Sequence, residues 1–451
     1  MDSDGKVAAT MGDARMIKSQ AGSIGRRGAA REGWRLLSAA GAAVLCLAGV
    51  ALADDAPARE RSLQSEDGSQ RVPVRALERV LVEGDLSSSR VEIVALDGEG
   101  VTVREGASGA QKRVPMSRVA AILPAREQAS GDFRGASEPE RMFIDTADGQ
   151  SLPGMPGAAR PERADVLAWG SSFLGPIVLP VDGLSRVVLK GGRPRGVAGS
   201  DDVVRLTNGD VLRGIATVVA GERGAQAWSV EAVDGGGAPT VVSMARVLSV
   251  SLANPAKEAS GAWVWLAEGT AARCQDVSFG ASGLASARFL VGGAEAERTE
   301  FDATLLRAFT PRRERVRALA TLARSQAQGQ RGWAPVVGDV QAAPLGLADV
   351  EFPGPGACAF ELPTGAVRVA ARVELPVSSR VWGDCDVAVL CDGRELWRGR
   401  VWADSPEATF AIDLPARASV LVVRVEEGRG GPIEDRVLLR EAMVGMEEVT
   451  K

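Results

Sequence analysis

Three tryptophans and two acids toward the C-terminal end carry the most legible chemistry in this 451-residue chain. Trp382, Trp397 and Trp402 offer flat apolar rings, and Asp384 and Asp435 offer carboxylates. A ring face supplies apolar stacking area and a carboxylate accepts hydrogen bonds from hydroxyls, which suits a sugar ring, while core packing is the competing and favoured role for each tryptophan. Asp384, Asp386, Glu434 and Asp435 are also hard oxygen donors of the kind calcium takes. Their spacing is not that of an EF-hand loop, so they read as solvated acids, and neither metal nor cofactor is expected.

Composition restricts catalysis. The chain has no histidine and no tyrosine, which excludes a Ser-His-Asp triad, a Cys-His dyad and any histidine-bearing zinc site. Lys6, Lys18, Lys112, Lys190, Lys257 and Lys451 are the only lysines. The other basic residues are arginines, which stay protonated at neutral pH and cannot act as general bases. No GxxxxGK[ST], GxGxxG or GxSxG segment is present. A glycosidase needs only two carboxylates, but no pair stands out among the acids. The net charge of -5 argues against nucleic acid as a partner. A non-catalytic binding protein is the expectation.

The elements that must position these residues read as mainly β. Residues 333–447 alternate between short apolar strands and Pro, Gly or Asp turns, as at Val367–Val373, Val387–Leu390, Glu395–Val401, Thr409–Leu414 and Val420–Val425. That density predicts a two-sheet sandwich. Upstream, Thr310–Gly329 reads as a connector helix. Thr310 suits the cap, Pro311 the first turn and Gly329 the stop, with an apolar stripe at Val316, Leu319 and Leu322/Ala323. Arg312, Arg313, Arg315 and Arg317 give its start a basic face, read as solvated.

The middle of the chain repeats. Phe143–Gly154, Val204–Gly214, Val264–Gly269 and Val80–Leu86 share a strand–turn–strand pattern, with turn glycines at Gly149, Gly209, Gly269 and Gly84. Val114–Leu123, Leu179–Leu189 and Val242–Val250 share a closing pattern of polar turn then alternating strand. Four small β-barrel-like units follow, at 71–130, 140–192, 200–253 and 260–309. Trp169, Trp228, Trp263 and Trp265 within them read as core, with Trp263 and Trp265 on one strand face by parity.

Residues 1–53 read as an address. Leu36–Ala53 is uncharged, follows Arg26, Arg27, Arg31 and Arg35, and ends in the small-x-small triplet Ala51–Ala53. That is a secretory signal cleaved after Ala53, an uncleaved membrane anchor over 36–53 being the alternative. Cys46 lacks the preceding small residue of a lipoprotein site, and residues 54–70 read as a linker. Export gives a periplasmic or extracellular location without a stable membrane span, and permits disulfides. Cys385 and Cys391 share a predicted strand, about 20 Å apart at ~3.3 Å per residue, too far to bridge. Cys358 is left to pair with either, Cys358–Cys385 being the candidate disulfide, with buried free thiols as the alternative.

Two resemblances sharpen this reading. Asp386–Gly399, with Asp392–Gly393 at its turn, resembles the strand–turn–strand hairpin of the NPCBM family, the "novel putative carbohydrate-binding module" group. Val367–Leu375, Phe410–Pro415, Leu421–Glu427 and Asp435–Val444 fit the strands around it. The resemblance covers 333–447 and implies a galactose-binding-like jelly roll of the kind appended to secreted glycoside hydrolases, with a carbohydrate or cell-envelope glycan as ligand. The family's Gly-x-His segment is replaced here by Gly356–Glu361, and no His follows Asp435. A scaffold that contacts another envelope protein through a degenerate sugar site is therefore the competing expectation. The repeats resemble those of exported proteins from Planctomycetes-type bacteria, which implies a binding or assembly role.

Overall fold

The period-two alternation from Leu77 to Thr310 folds into twenty antiparallel strands. The computed structural model describes residues 77–106, 109–125, 142–159, 165–190, 199–233, 237–280, 282–292, 294–326, 334–431 and 435–447. These all belong to one unit, Gln70–Lys451. The signal and linker at 1–70, Cys46, Trp333 and Glu434 lie outside the described residues.

The first repeat contains β1 (Leu77–Glu83), β2 (Ser88–Asp97), β3 (Gly100–Arg104), β4 (Gln111–Pro115) and β5 (Val119–Pro124), with a 3-10 turn at Met116–Arg118 before the last strand. Strands one to four form a meander and β5 returns to β1, with Val80 opposite Leu123. The second repeats this plan with β6 (Phe143–Thr146), β7 (Ser151–Pro156), β8 (Val166–Ser171), β9 (Gly175–Pro180) and β10 (Leu184–Val188). The third has β11 (Asp202–Leu206), β12 (Val211–Ala220), β13 (Gln226–Glu231), β14 (Thr240–Ser243) and β15 (Val247–Ser251). The fourth has β16 (Trp263–Leu266), β17 (Ala271–Phe279), β18 (Leu284–Val291), β19 (Ala294–Asp302) and β20 (Leu306–Thr310).

Gly149, Gly209 and Gly269 take left-handed φ values of 89°, 94° and 98° at their hairpin turns. Gly84 does not. After β1 the left-handed residue of the turn is Leu86, at φ 58°, and its side chain is 3% exposed.

The repeats pair through their last strands. β5 meets β20 at Ile122 and Phe309, and β10 meets β15 at Val187 and Val250, so the first unit joins the fourth and the second joins the third. One apolar core runs through all four units. Buried side chains bridge them as well. Gln226 accepts from the Ala168 amide through Oε1 and donates through Nε2 to the Ala168 and Gly157 carbonyls. Arg79 donates to the Leu306 carbonyl, and Thr310 to that of Ala120.

The second half is the expected sandwich, with a different entrance. Over its described part, 310–326 is not a helix. A 3-10 turn at Arg313–Arg315 leads to β21 (Val316–Ala318), and another at Leu319–Thr321 leads to β22 (Arg324–Gln326). Val316 pairs with Gly445 and Arg324 with Phe360, so the segment crosses from one sheet to the other. A helix buries one stripe, whereas Val316, Ala318, Leu319 and Ala320 are all buried here. Tertiary pairing overrides good caps and propensity.

The remaining strands are β23 (Val336–Val337), β24 (Val350–Pro353), β25 (Gly356–Glu361), β26 (Ala366–Glu374), β27 (Asp384–Cys391), β28 (Arg394–Trp402), β29 (Glu407–Asp413), β30 (Val420–Glu427) and β31 (Arg436–Met446). One sheet runs β23-β24-β31-β26-β29 with β21 also on β31, and the other runs β22-β25-β30-β27-β28. Val369, Val387, Val389, Leu421, Val423 and Leu439 fill the space between them.

The candidate disulfide is absent, and Cys274, Cys358, Cys385 and Cys391 are buried free thiols. Cys358 on β25 lies opposite Val423 of β30, whereas Cys385 on β27 lies opposite Glu427 of the same strand. Two strand spacings of about 4.8 Å and four residues of about 3.3 Å separate them, well beyond the reach of a disulfide.

Candidate functional site

The outer face of β27 and β28 is set by register. Asp384 lies opposite Trp402 and Asp386 opposite Arg400, while Val387, Val389 and Val401 turn into the core. Asp384 opens β27 and is held from three sides. Arg400 donates to it twice, at 2.6 and 2.5 Å, and the Arg429 amide donates to its Oδ2 at 2.9 Å. The Gly428 amide donates to its carbonyl at 2.7 Å. A side chain at Gly428 would collide with Asp384, so the close approach of β30 requires glycine. The bonds from Arg400 hold the Asp384 carboxyl below its ordinary value.

The Arg400 guanidinium lies over the Trp402 ring, 5.3 Å from its centroid. Trp402 is 36% exposed and sits at a tight turn closed by its bonds with Ser405. Trp382, two residues before Asp384, is 67% exposed. It stands in the loop between β26 and β27 with Val377 and Val381, which are equally open to solvent. Arg380 anchors that loop by donating to Glu374 and to the Leu375 carbonyl, both at 3.3 Å.

Two of the residues singled out from sequence do other work. The Trp397 ring lies over Gly399 on the inner face and packs on Phe410 at 4.9 Å between centroids. It closes the sandwich edge and contacts no solvent-facing groove with Trp402. Asp435 is 3% exposed, beneath the site rather than on it. Its oxygens make no hydrogen bond of regular geometry among the described residues, and Cys385 and Asp384 are its polar neighbours. Burial raises its pKa.

Next to this site the outer face of the five-stranded sheet is a lattice of ion pairs. Arg398 bridges Glu395 at 2.8 Å and Glu426 at 2.5 Å, and Arg424 meets Glu426 at 2.9 Å. Exposed pairs contribute at most about 1 kcal/mol each, so the lattice defines a polar surface more than it stabilises the fold. Arg400, which bonds Asp384 and lies over Trp402, is not among the residues singled out from sequence. Its signal was available, since Arg400 and Trp402 share a strand face by parity.

Among the described residues, three other tryptophans are core. Trp169, Trp228 and Trp263 are 1%, 0% and 2% exposed. Trp265 stacks on Trp263 at 5.9 Å and has Arg313 over its ring at 6.0 Å. Among the described residues no cluster of Cys, Asp and Glu is arranged to hold a metal ion, and no helix is long and apolar enough to cross a membrane.

No family model matches the chain, and no curated protein matches it. Among solved structures, CBM51 from Clostridium perfringens GH95, in complex with methyl-galactose, is 13% identical with a TM-score of 0.22, over 29% of this chain and 99% of that one. The tandem CBM51 modules of a family 98 glycoside hydrolase from Streptococcus pneumoniae are 10% identical with a TM-score of 0.24, over 82% of this chain and 88% of that one. The CBM51-2 and INT domains of Clostridium perfringens ZmpB give 11% and 0.23, over 41% and 43% of the two chains. These neighbours contain carbohydrate-binding modules. Their scores are low, and the fold assignment rests on the strand pairing described above.

Proposed function

We propose that the sandwich binds carbohydrate at the end of β27 and β28, and that the chain is a non-catalytic binding protein whose repeats form a rigid base. The observation that carries this reading is the exposed Trp402 with Arg400, itself bonded to Asp384, over its ring, and the exposed Trp382 two residues before Asp384. A ring face stacks on the apolar face of a pyranose, and an oriented guanidinium and carboxylate bond its hydroxyls. Arg400 and Asp384 are already locked together, so little side-chain entropy is lost on binding. The NPCBM-like hairpin at Asp386–Gly399 and the secretory pattern ending at Ala53 support a location at a cell envelope.

The test is binding of the chain to an array of neutral and acidic glycans, repeated with Trp402→Ala and Trp382→Ala. Binding by the parent that falls at least tenfold in Trp402→Ala supports the reading. Equal binding by parent and both variants, or none by the parent, overturns it. A second reading draws on Val377, Val381 and Trp382, an apolar loop tip of the kind that docks on a protein. It predicts that Trp382→Ala abolishes capture of an envelope protein while glycans have no effect.

A further inference from the structure

Each repeat has one strand with a single hydrogen-bonded neighbour. Among the described residues the fourth strand of every unit pairs only with the third: β4 with β3, β9 with β8, β14 with β13 and β19 with β18. A strand of this kind presents a row of backbone N–H and C=O groups on its other side, a template for pairing with another strand.

Three of these edges are guarded. On β4, Lys112 pairs with Glu105 and Arg113 with Asp97, and Pro115 ends the strand. On β9, Pro176 and Pro180 lack a donor. The turn after β18 also covers its end, since a Cβ added to Gly292 would lie 3.0 Å from Leu179 Cδ2. On β19, Arg298 and Glu300 are exposed.

The edge of the third repeat differs. β14 is Thr240, Val241, Val242 and Ser243, with Pro239 just outside it, and no residue from Gly237 to Ala245 is charged. Val242 turns into the core, whereas Thr240, Val241 and Ser243 are exposed, Val241 at 59%. Thr217, Ser229 and Val241 form one cross-strand row on the outer face of this sheet, so the face beside the edge is also uncharged there.

We infer that β14 is a dimerisation edge, which pairs antiparallel with β14 of a second copy of this chain about a two-fold axis at Val241. The guarded edges would set charges or prolines against β14, whereas its own copy brings neither against the strand. Residues facing each other across an antiparallel pair lie on the same side of the sheet. A two-fold axis therefore passes beside a residue and its own copy, and at Val241 it sets two exposed valines together. The β12-β13-β14 sheets of the two copies then join into one. A contact of this isologous kind closes at two copies.

The test is sedimentation equilibrium of the whole chain. So short a contact belongs to the weak, transient class, and association is followed to about 200 µM. The parent should show a monomer–dimer equilibrium. Val241→Lys, which gives β14 the kind of guard found on β4, should weaken it at least tenfold. Ile215→Lys, on the outer face of β12 and away from the edge, should associate as the parent does. Both replaced side chains are exposed, and each variant is first checked for an unchanged circular dichroism spectrum and melting curve. Oxidation of Val241→Cys checks the register. Facing Cα atoms lie about 4.5–5.5 Å apart, within disulfide range, so a covalent dimer should form. Ser243→Cys should not cross-link, because its copy lies four residues along the strand, about 13 Å away. The inference is overturned if the parent stays monomeric or grows past a dimer, if folded Val241→Lys associates like the parent, if Ile215→Lys dissociates the pair, or if Ser243→Cys cross-links as readily as Val241→Cys. The two cysteine variants decide the matter if Val241→Lys does not fold.

Discussion

Leu86, in the turn after β1, rests on Gly445 of β31: a Cβ added to Gly445 would lie 3.4 Å from Leu86 Cδ1. Leu86 is held at φ 58°, a conformation that costs a non-glycine residue about 1–2 kcal/mol. Burial offsets this. Leu86 joins Val82, Ala120, Ala121, Val316, Ala370 and Met443 in a core between the first repeat, the entering strand and the outer face of the β26–β31 sheet. That face of the sandwich is therefore covered by the first repeat and the entering strand.

Removing the Leu86 side chain should loosen the two halves. Leu86→Ala is expected to cost about 2–5 kcal/mol, and Gly445→Val about 1–3 kcal/mol through overpacking. Calorimetry should show one transition for the parent and two for Leu86→Ala. Unchanged melting in both variants would show that the junction core contributes little.

Trp397 and Trp402 should separate in their effects. Trp397 packs on Phe410, so Trp397→Ala is expected to lower stability by about 3 kcal/mol. Trp402→Ala should change stability by less than about 1 kcal/mol, since its ring is largely at the surface, while weakening glycan binding at least tenfold. Urea unfolding and titration, run on the same samples, check both.

The buried amide of Gln226 satisfies three backbone groups of the second repeat. Gln226→Leu keeps most of the volume and leaves those groups unpaired, so a loss of at least about 2 kcal/mol is expected. Hydrogen exchange should then quicken at Ala168 first. Exchange unchanged there would remove the proposed bridge between repeats two and three.

Asp384 and the buried Asp435 should respond oppositely to pH. The Asp384 pKa is depressed in the folded protein, so its contribution is full above the ordinary value of 3.8 and is lost as pH falls through the lower folded value. Asp435 is raised, so the folded protein holds its proton longer and loses stability as pH climbs from 3.8 through the folded value. Asp384→Asn should destabilise at pH 7 and converge on the parent in strong acid. Asp435→Asn should stabilise at pH 7, with the gain gone below about pH 3.8. Denaturant midpoints at pH 7 and in strong acid decide this, and an Asp435→Asn variant weaker than the parent at pH 7 would contradict it.

The four thiols should be inert while the protein is folded. Burial raises all of them, Cys391 to about 11, and thiolate is the reactive form. A thiol reagent at pH 7 should modify none of them before unfolding, and a reductant should leave the melting temperature unchanged. A fall in melting temperature on reduction would reveal a disulfide.

Much of the fold could be read without coordinates, because hydrophobic alternation is a local record of which face is buried. The hairpins at Gly149, Gly209 and Gly269, the 3-10 turns before the closing strands and the sandwich strands from Val367 to Val425 all follow from it. The segment after Thr310 shows where such a record stops. Its caps and stripe describe a good isolated helix, but Val316 and Arg324 gain more by completing two sheets. Trp397 likewise has the composition of a binding residue, and only Phe410 and Gly399 make it core.

Residue order alone decided that this chain has no imidazole chemistry, that its strands are short and alternating, and that a small β unit recurs four times. Three-dimensional packing decided which repeats pair, that Leu86 joins them to the sandwich, that Cys358 and Cys385 stand too far apart to bond, and that Arg400 rather than Trp397 stands beside Trp402 and Asp384. The division has a physical cause. Alternation and turn preference act over a few residues, whereas strand register, inter-sheet contact and the burial of a given ring depend on segments far apart in sequence, whose meeting no local pattern encodes.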